Sequence, residues 1–514
     1  MCGLVVAFVS LSCAIGGLDQ NDPLFSTSNG GGLLSATPSL NFPTDRVIQN
    51  NPNNPVPEDT LQISTDVPTA PTVPVNTAPL LYYSQAGDTL PVIATRFGVN
   101  VDDIKSPDDT LPATGLLIPN TLLIIPHVLV NTTSSIKILP DSELIYSPSA
   151  IDFDVDAFIN QAGGYLSKYQ QWLGTTEWTS GAEIVQRIAI ENSINPRLLL
   201  ALIEYQSGWV YGQPSNPKQE DYPLGKVDLS IKGLYSQLAW AVNQLSIGYY
   251  GWREGWVTDI QFSDGVSARL APDLNSGTVA LQYYFAQVND TPGWLGALDT
   301  TSGIPALYEK MFGNPGIRAM EVEPLYPPNL SQPLLILPFL FDQMWSFTGG
   351  PHGAWERDGA LAAVDFAPAS TESGCVKSNA WVVAAAPGLI VRAGHGAVVE
   401  DLDGDGNEQT GWNILYMHLN DLATGVGDWV ETSDYLGHPS CEGGIATGTH
   451  VHIARKYNGE WISADGPLPF VLSGWTVHAG SKPYVGTLTK GSDTVTSSIY
   501  GAHESLIVRT RENP

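Results

Sequence analysis

Two histidines two residues apart, His450 and His452 in the run GGIATGTHVHIARKYNG, hold more chemical potential than any other pair in this 514-residue chain. On a β-strand, positions i and i+2 project from one face while the residue between them turns to the other. One imidazole can then hold a metal while its neighbour touches water bound to that metal. Histidine is concentrated around the pair, since six of the nine in the chain fall between His352 and His452. The same window contains the chain's densest acidic loop, EDLDGDGNEQTGW, with Asp401, Asp403 and Asp405 at alternate positions. Oxygen ligands at positions 1, 3 and 5 followed by glycine at 6 suit calcium, although position 12 is Trp412, where an EF-hand carries Glu. A polar hairpin turn is the alternative for this loop. It leads straight to His418, so a bound ion would stiffen that strand.

These pieces lie in a segment from about 334 to 477 whose short apolar runs are separated by Gly, Asp and Pro, which predicts a mainly antiparallel sheet. Together GGPHGAW, AVDFAP, LYMHL and THVHI resemble the lysostaphin and LytM type of zinc endopeptidase, which cuts the peptide cross-links of peptidoglycan. The resemblance implies that His352, Asp365 and His452 bind Zn2+, and that His418 and His450 act on the metal-bound water and the oxyanion. The chemistry of the residues agrees, because two imidazoles and a carboxylate leave zinc an open fourth position, as a catalytic site requires. The spacing departs from the family. Twelve residues separate His352 from Asp365 where the family usually has three, consistent with an inserted loop GAWERDGA. Asp358 and His395 are the substitutes should that loop displace a ligand, while His395 and His438, both in glycine-flanked turns, otherwise read as surface groups. Cys375 and Cys441 flank the same sheet and, in an oxidising compartment, are expected to form a disulfide at its rim.

The elements before this sheet predict two further modules. Residues 79–128 read as strand, turn, helix over 90–97 stopped by Gly98, and closing strand over 122–125. With Tyr83, Gly87, Asp88 and Thr89 in place, the segment resembles a LysM domain, a βααβ module that implies binding to N-acetylglucosamine polymers. Residues 150–325 read as an all-α region, with helices over 183–192, 233–246 and 275–287 and a capped helix in NPRLLLALIEYQSG. This region resembles the lytic transglycosylase and lysozyme-like domain. That family's catalytic Glu position is occupied here by Gln206, which has no proton to give a glycosidic oxygen. Glu204, two positions earlier, faces another side of the helix. The module therefore reads as glycan-binding and inactive. Residues 480–514 read as a short polar β extension.

At the amino end, residues 1–17 resemble a signal peptide, with Cys13 loosely placed as a lipoprotein anchor, and residues 18–78 are a Pro/Asn/Thr-rich segment that cannot bury a core. The expected location is secreted or cell-envelope. A net charge of −29, from 23 basic and 52 acidic residues, argues against nucleic acid as a partner. The resulting expectation is a zinc endopeptidase acting on peptidoglycan. A non-catalytic wall-binding scaffold and a working glycosidase in the helical module are the alternatives.

Overall fold

The computed structural model describes residues 78–107, 111–370 and 372–511. The signal segment, Cys13 and the linker up to residue 77 lie outside the described residues. No helix among the described residues is long and apolar enough to cross a membrane.

Strand β1 (Leu80–Tyr83) pairs antiparallel with β2 (Leu122–Ile125), and helix α1 (Leu90–Phe97) packs between them. The Thr89 side chain caps α1 by accepting from the Val92 amide, and Gly98 ends the helix at φ 69°, where a side chain would be strained. The second helix of a βααβ order is here only a 3-10 turn, Val101–Asp103. Asn100 and Asp103 cap each other across that turn, and Lys105 is drawn out to bridge Ile124, so the helix cannot continue. Asp88 is buried, accepting from Tyr82 at 2.6 Å and pairing with Arg96 at 2.8 Å.

The helical region is built on α2 (Gly181–Asn192), α3 (Pro196–Ser207), α4 (Leu234–Glu254) and α5 (Ser276–Val288). Ser180 and Glu183 form a capping box on α2, while Asn195 caps α3 with Pro196 at its first position and Gly208 as its stop. A short hairpin, Gln170–Leu173 with Glu177–Ser180, precedes α2 and carries an edge-to-face Trp172–Trp178 pair on its surface.

The third part is a nine-stranded antiparallel sheet. Its strands are β3 (Met344–His352), β4 (Ala363–Pro368), β5 (Gly388–Gly394), β6 (Ala397–Asp401), β7 (Trp412–Met417), β8 (Trp429–Val430), β9 (Val451–Tyr457) and β10 (Leu506–Val508), in the spatial order β8-β5-β6-β7-β9-β4-β3-β10, with Glu460–Trp461 pairing back onto β9. The described residues of the C-terminal β extension, 480–511, are tied into the sheets. Gly486–Lys490 and Asp493–Thr496 continue a sheet begun by Val471–Leu472 and Trp475–Ala479, and β10 closes the edge of the main sheet with Ile507 buried.

Alternation along the strands gives the sheet two faces with different covers. Val364, Phe366, Val398, Ile414, Tyr416, Val451 and Ile453 fill a core internal to the β region. Ala363, Val399, Leu415 and Ala454 face the other way and belong to the core of the helical region. The helices and the sheet thus share one apolar interior. Polar bonds close the seam: Arg253 at the end of α4 pairs with Glu460 at 2.9 Å and Asp141 at 3.3 Å, Tyr249 donates to Glu460, and Ser193 donates to the Gly459 carbonyl. Replacing Arg253 by Met should strand two buried carboxylates and lower stability by about 3–5 kcal/mol. Urea unfolding of the full chain would reveal this as a shifted midpoint, and an unchanged midpoint would contradict it.

Candidate metal centre

The register of β9 with its neighbours builds the site. His452 lies directly opposite Asp365 on β4 and Met417 on β7, and Met417 lies opposite Ala397 on β6. Two residues further along the same face runs a second row, Val399, Leu415, Ala454 and Ala363, against which the helical region packs. The site's row therefore adjoins the covered one, and its own Ala397 and Met417 belong to that same core.

His352 reaches this row from the end of β3. Register shifts between Phe347 and Gly349 and again before His352 re-aim the strand, as bulges do. Of the residues between His352 and Asp365, 353–362 form the loop of the β3–β4 hairpin, and Ala363 and Val364 already belong to β4, so the insertion leaves both ligand candidates on adjacent strands. His352 Nε2 lies 3.0 Å from His452 Nδ1, and both lie near Asp365 Oδ1, at 3.2 and 3.3 Å. Asp365 Oδ1 is buried without a hydrogen-bond partner. The far nitrogens are already committed: His352 Nδ1 bonds the Gly350 carbonyl at 2.8 Å and His452 Nε2 the Ala354 carbonyl at 2.9 Å. Those bonds fix the tautomers, leaving the near nitrogens as lone pairs around one point, the usual outer support of metal-binding histidines. An orphaned carboxylate oxygen among converging lone pairs fits a divalent metal better than any internal hydrogen-bond scheme. His352, Asp365 and His452 are one of two groups among the described residues with ligand atoms close enough to share an ion.

His418 and His450 complete the cluster. His418 follows β7 and has φ 63°, which breaks the strand alternation that would otherwise turn it to the opposite face. Its ring comes within 4.5 Å of His450 and 5.9 Å of His452, centroid to centroid. His418 Nδ1 donates to the Glu442 carbonyl at 2.9 Å and His450 Nδ1 to the Gly448 carbonyl at 2.7 Å. His450 Nε2 stands 3.7 Å from Asp365 Oδ1. Burial, with the adjacent His450 and His452 rings, pushes the His418 pKa down to about 3, so its ring is neutral. Burial lowers His452 in the same way. For His352 burial is outweighed by the Asp365 carboxylate, which raises it, while the neighbouring imidazoles hold Asp365 well below the usual carboxylate range against its burial.

Cys375 and Cys441 are bonded. Both ends of that bridge support a histidine. The Glu442 carbonyl that anchors His418 follows Cys441, and the backbone on either side of Cys375 holds Thr449, through Gly374 O at 3.1 Å and Val376 N at 2.9 Å, just before His450. The reserve residues fall elsewhere. Asp358 bonds Asn243 of α4, His395 is exposed, and His438 stacks on Trp381. Asp401, Asp403 and Asp405 cluster in the β6–β7 hairpin, away from the histidines. In the helical region, Glu204 spends its carboxylate on the Val210 and Tyr211 amides, and Gln206 Nε2 is buried without a partner.

Two site residues escape sequence reasoning. Tyr484 stacks on His352 at 4.1 Å with an interplanar angle of 20°, held by backbone bonds to Gly350 and Pro351. It comes from the polar tail, and no local pattern marks it. Gly349, opposite Asp365, is needed for space: a Cβ there would sit 2.4 Å from Asp365 Oδ2. The double glycine before His352 was its only signal.

The family described as LasA, N-terminal domain, matches residues 137–325, the helical region. Protease LasA of Pseudomonas aeruginosa is 25% identical over 341 residues, covering 64% of this chain and 75% of the relative. Beta-lytic metalloendopeptidase of Achromobacter lyticus is 25% identical over 158 residues, 29% of this chain and 40% of that one. Among solved structures, an M23 metalloprotease, pseudoalterin, is 22% identical over 32% of this chain and 96% of its own, with a TM-score of 0.28. The protein is a metalloendopeptidase. Its homology is with LasA and the M23 metallopeptidases, and the match to the LasA N-terminal family falls on the helical region.

Gly349→Ala should push Asp365 out of line and weaken metal affinity about tenfold or more, whereas Gly425→Ala, with nothing nearer than 3.8 Å to its added Cβ, should not. Competition with a chromophoric chelator measures both, and equal affinities would refute the assignment.

Proposed function

We propose that this metalloendopeptidase is zinc-dependent and hydrolyses the peptide cross-links of peptidoglycan. The reading rests on one observation: His352 Nε2, His452 Nδ1 and Asp365 Oδ1 converge with two further imidazoles beside them. Three N/O ligands leave one zinc position for chemistry. When bound there, zinc supplies a Lewis acid that polarises a carbonyl and acidifies water.

The chain's own residues do the rest. His450, with Nδ1–H fixed on Gly448, offers Nε2 as the base that takes a proton from water. His418, neutral, fixed on Glu442 and beside His450, offers Nε2 and becomes a donor to the leaving amine or the developing oxyanion once a proton has reached it. Tyr484 fixes the plane of the His352 ring by stacking. The peptidoglycan substrate is supported by the lysostaphin-type motifs and the homology to LasA. In this proposal, residues 79–128 act as a LysM module and residues 150–325 as a lysozyme-like module, both holding the exported enzyme on glycan. The two amide bonds that occupy Glu204, and the amide at Gln206, oppose a glycosidase in the helical region.

The full chain is expected to release new amino termini from purified peptidoglycan without new reducing ends. Chelation should stop the release and zinc should restore it. His418→Gln should cut kcat about 10²–10⁴-fold with zinc content retained. Reducing ends in place of amino termini would sink the reading, as would full activity in the His418 variant.

A further inference from the structure

The second cluster of potential ligands lies in the hairpin between β6 and β7. Asp401, at the end of β6, is fully buried. Its two carboxylate oxygens accept from the amides of Asp403 at 3.2 Å and Gly406 at 2.9 Å, so the loop wraps around it. One oxygen from each of Asp401, Asp403 and Asp405 lies within 4.8 Å of the others. No lysine or arginine among the described residues forms an ion pair with any of the three. The adjacent cations, Lys456 and Arg392, are spent on Glu408 at 2.8 and 3.1 Å. Burial, followed by the neighbouring Asp403, pushes the Asp401 carboxyl up to about 6.

An independent observation comes from the opposite strand. Asn413 pairs with Asp401 across the β6–β7 ladder and so shares its face. It is 0% exposed. Its Nδ2 donates to the Thr410 carbonyl inside the loop at 2.7 Å, which turns the side-chain amide into the loop, yet its Oδ1 has no partner. A buried acceptor left unmade costs about 1–3 kcal/mol. The loop thus gathers three carboxylates without a cation and a buried carbonyl oxygen without a donor. The glycines keep this arrangement open: Gly404 and Gly406 have φ 71° and 89°, and a Cβ on Gly411 would sit 2.1 Å from Asp403 Oδ2.

We propose that the hairpin Asp401–Asn413 is a calcium site, with Asp401, Asp403, Asp405 and Asn413 Oδ1 as protein ligands. The donor set is all oxygen, as a hard cation requires, and its flexible loop suits the six to eight ligands of Ca2+ better than the rigid octahedron of Mg2+. Trp412 stands where an EF-hand closes with a bidentate Glu, and the next residue, Asn413, offers only a neutral amide oxygen, which places the affinity in the weak range of extracellular modules, about 10⁻⁴–10⁻³ M. The ion would fasten the start of β7, the strand whose far end delivers His418.

The test uses the full chain freed of calcium by EGTA, probed with Ca2+ and with Tb3+. The Trp429 ring lies against Gly404, 2.8 Å from where a Cβ would stand, so an ion in the loop would be sensitised by indole excitation. Tb3+ luminescence that one equivalent saturates and Ca2+ displaces is expected, together with a rise in Tm on adding calcium. Asp405→Asn, at an exposed position, should weaken both ions about tenfold or more. Asn413→Ala should weaken them as well, whereas Asp421→Asn, beyond the far end of β7 and paired with Lys377, should not. The proposal is overturned if the wild-type chain gives no sensitised emission and no Tm shift with calcium up to about 10 mM. It is equally overturned if Asp405→Asn binds both ions as the wild type does. Neither result depends on whether the histidine site holds zinc.

Discussion

The pairing of His452 with Asp365 across β9 and β4 is the constraint on which the rest of the site depends. Side chains alternate with a period of two, so a one-residue slip would bury His452 and Asp365 among Val364, Phe366 and Ile453 and bring apolar residues to the candidate metal centre. The pairing survives because it is over-determined. Both faces of the sheet are apolar and covered, and Gly349 leaves the carboxylate room on its other side. His418 joins the same face only by leaving the strand's own geometry at φ 63°, a conformation stabilised by its bond to Glu442 and by Leu419 bonding Gly396.

Much of this was legible in the sequence wherever the cause is local. The bounds of α1 and α3 follow from Thr89, Gly98, Asn195, Pro196 and Gly208, each acting through its own backbone. The histidine pair declared its shared face by spacing alone. The long gap between His352 and Asp365 read as a departure and turned out to be a hairpin loop, because a hairpin's length does not alter the register of its strands. What could not be read is tertiary. Tyr484 reaches His352 from 132 residues away in a segment of ordinary polar composition. Alternation also tells which residues share a face without telling what covers it, so the helical region's seat on the face that carries His452 and Asp365 was invisible.

That seat makes the inserted loop a shared component. Ala354 and Ala360 lie in the helical core, Asp358 bonds Asn243 of α4, and the Ala354 carbonyl fixes the ring of His452. A residue of the helical region is thus linked to the His452 imidazole through one short stretch of backbone. The disulfide does the same on the other flank, tying the supports of His418 and His450 to each other.

The seam between the helices and the sheet also governs how the protein is made. Ser193 and Gly459 are 266 residues apart in sequence, and Arg253 and Glu460 are 207 apart. The helical region emerges first during synthesis, but its core lacks Ala363, Val399, Leu415 and Ala454 until nearly the whole chain has followed. Contacts of such separation are costly to close and slow to form. Until then α4 carries an exposed apolar flank and an arginine with only one of its two carboxylates, Asp141, in place, so folding of the first half waits on the last strands of the second.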